Sequence, residues 1–124
     1  MPKRLLIVDD SPIIRKMLRE TFELQEGWEV CGEAVDGREG VEKAQQLKAD
    51  LIVLDLSMPV MNGLEAAREL SRLLPSVPVL LYTNYETPQL KQEALAAGVR
   101  AVVSKSESVG ALVSSIQDLL AAVA

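Results

Sequence analysis

Two hydrophobic periods alternate along the chain. "RLLIVD" (4–9) and "DLIVLDL" (50–56) are almost unbroken apolar runs, and "VPVLLYT" (77–83) and "VRAVVSK" (99–105) are shorter ones. Runs of this length predict strands buried on both faces. "WEVCGEA" (28–34) alternates instead, as an edge strand does. Between the strands the apolar positions fall at helical spacing. "SPIIRKMLRETFEL" (11–24) carries Ile14, Met17 and Leu18 on one side, with Pro12 in its first turn and Gly27 as a stop. "DGREGVEKAQQL" (36–47) reads as a polar, exposed helix opened by Asp36. "GLEAARELSRLL" (63–74) halts before Pro75, and "TPQLKQEALAAG" (87–98) ends on a Gly98 cap. "SVGALVSSIQDLLAAV" (108–123) places Val109, Leu112, Val113, Ile116 and Leu120 on one face.

Strand and helix patterns alternate from end to end, five of each, with no linker and no low-complexity segment. This predicts an α/β domain, a five-stranded parallel sheet covered by helices on both sides with right-handed crossovers. The doubly wound arrangement offers the strand order 2-1-3-4-5, which is flavodoxin-like. Ligands in such sheets sit at the carboxyl ends of the strands where the winding reverses, here between the first and third strands.

That edge is where the chemistry collects. The first strand runs out into Asp9 and Asp10, the third into Asp55, the fourth into Thr83 and the fifth into Lys105. Each has a plain structural reading when taken alone. Asp10 could serve as a helix cap before Ser11–Pro12, Asp55 as a turn cap, Thr83 as a β-former and Lys105 as a solvated side chain. Their coincidence at one sheet edge favours a shared site. Packed carboxylates need a cation, and oxygen ligands without Cys or His select a hard ion, Mg²⁺ in cytosol. Mg²⁺ often bridges a carboxylate to a phosphoryl oxygen, and a lysine and a hydroxyl aimed at the same place bind the other oxygens. A carboxylate is also a nucleophile toward phosphorus. Asp55, central in the sheet, is the candidate acceptor, and Asp9 and Asp10 are the candidate metal acids.

Composition narrows the field. The 124 residues are 48% hydrophobic but only 3% aromatic, so one domain-sized core must be built from aliphatic side chains. A net charge of -5 argues against direct nucleic-acid binding, which needs Lys and Arg clusters. A single cysteine, Cys31, rules out an internal disulfide and is expected to pack as a small hydrophobe. The chain has no histidine, which excludes a histidine base, a Ser-His-Asp triad, a His-bound metal and an internal phosphohistidine. No apolar run is long enough to span a membrane and no signal-peptide pattern opens the chain, so a soluble, cytoplasmic protein is expected.

The motifs "VDD" (8–10), "LDLSMPVMNG" (54–63), "YTN" (82–84) and "VSK" (103–105) resemble those of the receiver domain of two-component response regulators, across the whole chain, 1–124, as a single domain. The chemotaxis receiver is the family's minimal form. The resemblance implies Asp55 as phosphoacceptor, Asp9 and Asp10 as Mg²⁺ acids, the Ser57 backbone carbonyl as a further Mg²⁺ ligand, and Thr83 and Lys105 as the groups that bind the phosphoryl. It implies a sensor histidine kinase or histidine phosphotransfer protein as donor, which answers the missing histidine here. It also implies an output target, or a second copy on phosphorylation, at the face of the fourth helix, fifth strand and fifth helix, through a population shift between two states.

Three positions depart from the family pattern. Val102 stands where the switch aromatic usually lies, with Tyr82 and Tyr85 nearby. Ser106 replaces the proline after the lysine, whose preceding peptide bond is often cis. Asn84 follows Thr83 where a small residue is common, and its side chain is expected to slow acyl-phosphate hydrolysis. The wording of "LSMPVMNGLEAAREL" and "VSKSES" is closest to receivers fused to helix-turn-helix DNA-binding domains, so the chain is either a stand-alone receiver or one excised from such a regulator. Two other readings stay open. One is a Mg²⁺-dependent phosphatase working through an aspartyl phosphate, although Ser57 stands where that chemistry places its general acid. The other is a pseudo-receiver that binds partners without being phosphorylated. A flavodoxin-like electron carrier shares the sheet order but needs the aromatics and the hydroxyl-rich phosphate loop that this chain lacks.

Overall fold

A computed structural model describes residues 1–122. Five strands and five helices alternate: β1 (Lys3–Val8), α1 (Pro12–Glu23), β2 (Trp28–Ala34), α2 (Gly37–Leu47), β3 (Leu51–Leu54), α3 (Gly63–Leu73), β4 (Val79–Thr83), α4 (Pro88–Ala96), β5 (Ala101–Ser104) and α5 (Val109–Ala122). All pairings are parallel and the order is β2-β1-β3-β4-β5, as the alternation predicts. The last position of the final predicted helix, 123, lies outside the described residues.

The period-2 geometry of the central strands divides the core into two layers. Leu5, Ile7, Leu51, Val53, Leu80 and Tyr82 face α1 and α5, where they meet Leu18, Phe22, Leu112, Ile116 and Leu120. Leu6, Val8, Ile52, Leu54, Val79 and Leu81 face α2, α3 and α4. The second layer is lined by small residues, among them Ala44, Ala66, Ala67 and Ala94. The helices therefore sit close to the sheet, and a Cβ on Gly40 of α2 would lie 2.8 Å from a Val8 methyl. Aromatic bulk is concentrated in the first layer, where Phe22 and Trp28 pack edge to face at 5.9 Å.

Helix ends are fixed locally. Ser11, Asp36, Asn62 and Thr87 accept hydrogen bonds from backbone amides in the first turns of α1, α2, α3 and α4. Asn62 and Glu65 form a reciprocal capping box. Gly98 adopts φ +97 and ends α4 in a Schellman turn, with Val99 N–H on the Ala94 carbonyl and Gly98 N–H on the Leu95 carbonyl.

Two expectations need correction. β2 does not alternate: its residues up to Glu33 are all half-buried. The register with β1 shifts by one at Cys31, since Leu5 pairs with Val30 and Leu6 with Gly32. This bulge interrupts the period-2 pattern. α2 is not simply an exposed helix, because Gly37, Gly40, Val41 and Ala44 are buried. Two of those positions are glycines, which carry no apolar side chain for a periodicity count to register. In α5, Leu112, Ile116 and Leu120 are buried, while Val109 and Val113 are only half-buried.

Phe22 is fully buried and is the single phenylalanine. Phe22→Ala is expected to lower unfolding free energy by about 3–5 kcal/mol. Denaturant titration followed by Trp28 fluorescence checks this.

Candidate functional site

β1 and β3 end one residue before their acids. Asp9 N–H still pairs with the Ala34 carbonyl at 3.0 Å, and Asp55 N–H with the Val8 carbonyl at 2.9 Å. The sheet therefore holds both backbones after the ladder stops, and Asp9 and Asp55 are 2% and 7% exposed. Asp10 follows on the solvent side and is exposed. Each of the three acids places a carboxylate oxygen within 4.8 Å of the other two. Like charges at that distance in a partly buried setting repel by roughly 3 kcal/mol.

Lys105 answers part of that repulsion. Its Nζ donates to Asp9 Oδ2 at 3.0 Å and to Asp55 Oδ1 at 3.1 Å, and its side chain is 12% exposed. It reaches the acids from the end of β5, where its N–H bonds the Thr83 carbonyl at 2.8 Å. The Tyr82 ring lies 5.8 Å from the same Nζ. Nearby amides add two further bonds: Ser11 N–H donates to Asp9 Oδ1 at 2.9 Å and Leu56 N–H to Asp55 Oδ1 at 2.9 Å.

The protonation balance follows. Burial pushes the Asp55 carboxyl above the ordinary carboxylate value, the Asp9 charge adds to this, and Lys105 opposes both. Burial presses the Lys105 ammonium the other way, but its bonds to Asp9 and the charges of both acids outweigh it and hold the amine above its usual value. One cation faces three carboxylates, so the site has unmet demand for positive charge.

Asp9, Asp10, Asp55, Ser57, Asn84, Tyr85 and Lys105 all line one open depression at this edge. Thr83 does not line it. Thr83 is fully buried beneath, and its Oγ1 accepts from Tyr85 N–H at 3.1 Å. Tyr82 is buried under Lys105, Tyr85 stands 62% exposed at the rim, and Val102 is half-buried against the α2–α4 side of the core. The Lys105–Ser106 peptide bond is trans, and the turn is closed by the Ser104 and Ser106 hydroxyls, 2.7 Å apart.

The loop after β3 is shaped by two residues. A Cβ on Gly63 would lie 2.3 Å from the Asp55 carbonyl, so the start of α3 packs directly on the acid's backbone. Val60 has φ +68 at the centre of a three-residue turn closed by Met61 N–H on the Pro59 carbonyl. A β-branched residue in the left-handed region is rare, and no periodicity marks it. Sequence reasoning also missed Arg15, whose guanidinium reaches the Asp9 carbonyl at 2.8 Å. A basic residue one turn into α1 is its only trace in the sequence.

The family model described as "Response regulator receiver domain" matches residues 5–117. The chain belongs to the response regulator receiver domain family. Among curated relatives, the chemotaxis protein CheY of Thermotoga maritima is 38% identical over 85% of this chain and 87% of its own length. Other curated relatives are longer, and the receiver chain spans 27% of a protein-glutamate methylesterase and 51% of a transcriptional regulatory protein. A LuxR-family response regulator from Aurantimonas sp. SI85-9A1 superposes with a TM-score of 0.94 at 30% identity, over 98% of this chain and 87% of that one. The CheX–CheY–BeF₃–Mg²⁺ complex of Borrelia burgdorferi matches with a TM-score of 0.91 at 26% identity, over 96% and 90% of the two chains. The fold and the family of the sequence expectation are therefore those of the receiver domain, a component of two-component phosphorelay signalling. Among the described residues no helix is long and apolar enough to cross a membrane.

With its value raised in the folded receiver, Asp55 contributes no destabilisation below the ordinary carboxylate value of 3.8 and an increasing one as pH rises through the raised value. In chelator-treated protein, Asp55→Asn is expected to be more stable than the parent at neutral pH, with the difference closing as pH falls below 4. Thermal midpoints of both proteins across pH check the sign.

Proposed function

We propose that residues 1–124 work as one receiver domain that accepts a phosphoryl group on Asp55. The donor is the phosphohistidine of a sensor histidine kinase or a histidine phosphotransfer protein. The observation that carries this reading is the Lys105 ammonium lying between Asp9 and Asp55 in a three-carboxylate cluster at the carboxyl edge of the sheet. A structural ion pair alone gives no reason to gather a third acid, Asp10, at the same place.

The donor set fits Mg²⁺: three carboxylate oxygens within reach of one another, no nitrogen or sulfur ligand among them, and an exposed side on which the ion would keep its waters. Asp9, Asp10, Asp55 and the Ser57 carbonyl would hold it. When bound, the ion neutralises the acids and withdraws charge from the phosphoryl oxygens.

The protein's own groups do the rest. An Asp55 carboxylate oxygen attacks phosphorus, the P–N bond to the donor imidazole breaks, and the imidazole leaves with that electron pair and is protonated. Burial and the Asp9 charge raise the proton affinity of Asp55, and Lys105, bonded to its carboxylate, opposes them. Lys105 then transfers its contact from the carboxylate to the phosphoryl oxygens, and the Thr83 hydroxyl exchanges its bond from Tyr85 N–H for another of them. Releasing that amide frees the segment after β4, which leads into α4. The consequence is a shift of the α4–β5–α5 face that regulates an output partner or a second copy of the chain. Val102 has no aromatic ring to carry the change, so the Thr83–Tyr85 bond is its route here.

Incubation with acetyl phosphate and Mg²⁺ is expected to add one phosphoryl group by intact mass. Asp55→Asn and a chelated sample are expected to add none. An adduct that survives Asp55→Asn, or forms equally without metal, would remove the reading. Asn84 is exposed on the rim beside Thr83, so Asn84→Ala is expected to hasten loss of the phosphoryl group. An unchanged decay of the adduct by mass would assign Asn84 no part in it.

A further inference from the structure

We propose that Arg15 is a positioning residue for the acidic pair, fixing the Asp9–Asp10 peptide in the orientation that lets both carboxylates serve one cation. This rests on the proposed Mg²⁺-dependent role of the cluster. Arg15 lies one turn into α1, and its side chain is 17% exposed. Its planar fork makes two contacts in different directions. Nη1 donates to the Asp9 carbonyl at 2.8 Å, and Nε donates to Glu33 Oε1 at 3.0 Å.

Glu33 is a fixed anchor for that fork. It lies in β2, paired in register with Ile7 of β1, and its second oxygen accepts from Arg19 Nε at 2.6 Å. The Asp9 carbonyl is the first one past β1, at the point where the chain leaves the sheet. Its orientation sets the plane of the peptide that joins the two acids. On one side of that peptide, Asp9 is already tied by Ser11 N–H and Lys105. On the other, Asp10 is exposed. The carbonyl bond from Arg15 is what restrains the orientation from which Asp10 departs.

The sign of the charge separates positioning from electrostatics. A cation near a metal site repels the metal, so an arginine acting only through its charge would weaken Mg²⁺ binding, and its removal would tighten it. A positioning arginine acts the opposite way. Outer residues that orient metal ligands typically change affinity by roughly 10- to 100-fold when lost. Arg19 supplies the matched control, because it shares Glu33 and carries the same charge but makes its contacts to Glu33 and Glu23 rather than to Asp9.

The test compares Arg15→Met and Arg19→Met, which keep the aliphatic stems, by calorimetric Mg²⁺ titration of the full chain. Arg15→Met is expected to weaken Mg²⁺ roughly tenfold, with Arg19→Met at the parent's affinity. Equal affinity in the two variants, or tighter binding in Arg15→Met, would overturn the proposal. Amide hydrogen exchange at Ser11, whose N–H lies on Asp9 Oδ1, gives a second reading without metal. Faster exchange in Arg15→Met alone supports the role, and unchanged exchange contradicts it. If the parent chain binds no Mg²⁺, the functional reading fails at that step, and the exchange measurement still decides whether Arg15 holds the turn.

Discussion

Three carboxylates share one edge of the sheet with one lysine, and this imbalance is the constraint from which the rest follows. Asp9 and Asp55 are held there by backbone bonds that continue the parallel ladder one residue past each strand. Their backbones are fixed side by side. Lys105 neutralises part of their charge and leaves a negative excess that a divalent cation can offset.

Such an edge destabilises the fold that carries it, and the two-layer core offsets that cost. β3 and β4 are buried throughout and β1 from Leu5 onward, and the small residues of α2, α3 and α4 bring the helices close to the sheet. The same closeness serves the site. Gly63 lets α3 begin directly on the Asp55 backbone, so the acid cannot relax toward its own loop. Val60 occupies left-handed backbone at the turn of that loop, a conformation its side chain resists. Strain of this kind persists where the surrounding structure dictates the path of the chain.

Much of this was legible in the sequence because it rests on simple periods. The unbroken apolar runs ending in Asp9 and Asp55 predict buried parallel strands, and parallel strands place their carboxyl ends together. Pro12, Asp36 and Gly98 mark helix ends by their own chemistry. Properties set by partners distant in sequence were not legible. The bulge at Cys31 depends on the register between two strands, and the burial of Gly37 and Gly40 depends on what the sheet presents to them. Thr83 is expected to bind the phosphoryl group, and its burial and its bond from Tyr85 N–H are set by the fold, not by a pattern in the sequence. Arg15 belongs to α1 by pattern and to the acidic turn by contact, and only the fold joins the two.

The carboxylate cluster is short of positive charge and is expected to take up one divalent cation. The most direct test is the thermal midpoint of the unmodified protein against free Mg²⁺ at constant ionic strength. A ligand that binds only the folded state at one site raises stability by RT ln(1 + [L]/Kd). The midpoint is expected to rise with Mg²⁺ along that one-site curve, with no matching rise when Na⁺ supplies the same ionic strength. A midpoint that stays flat, or rises equally with Na⁺, would contradict it.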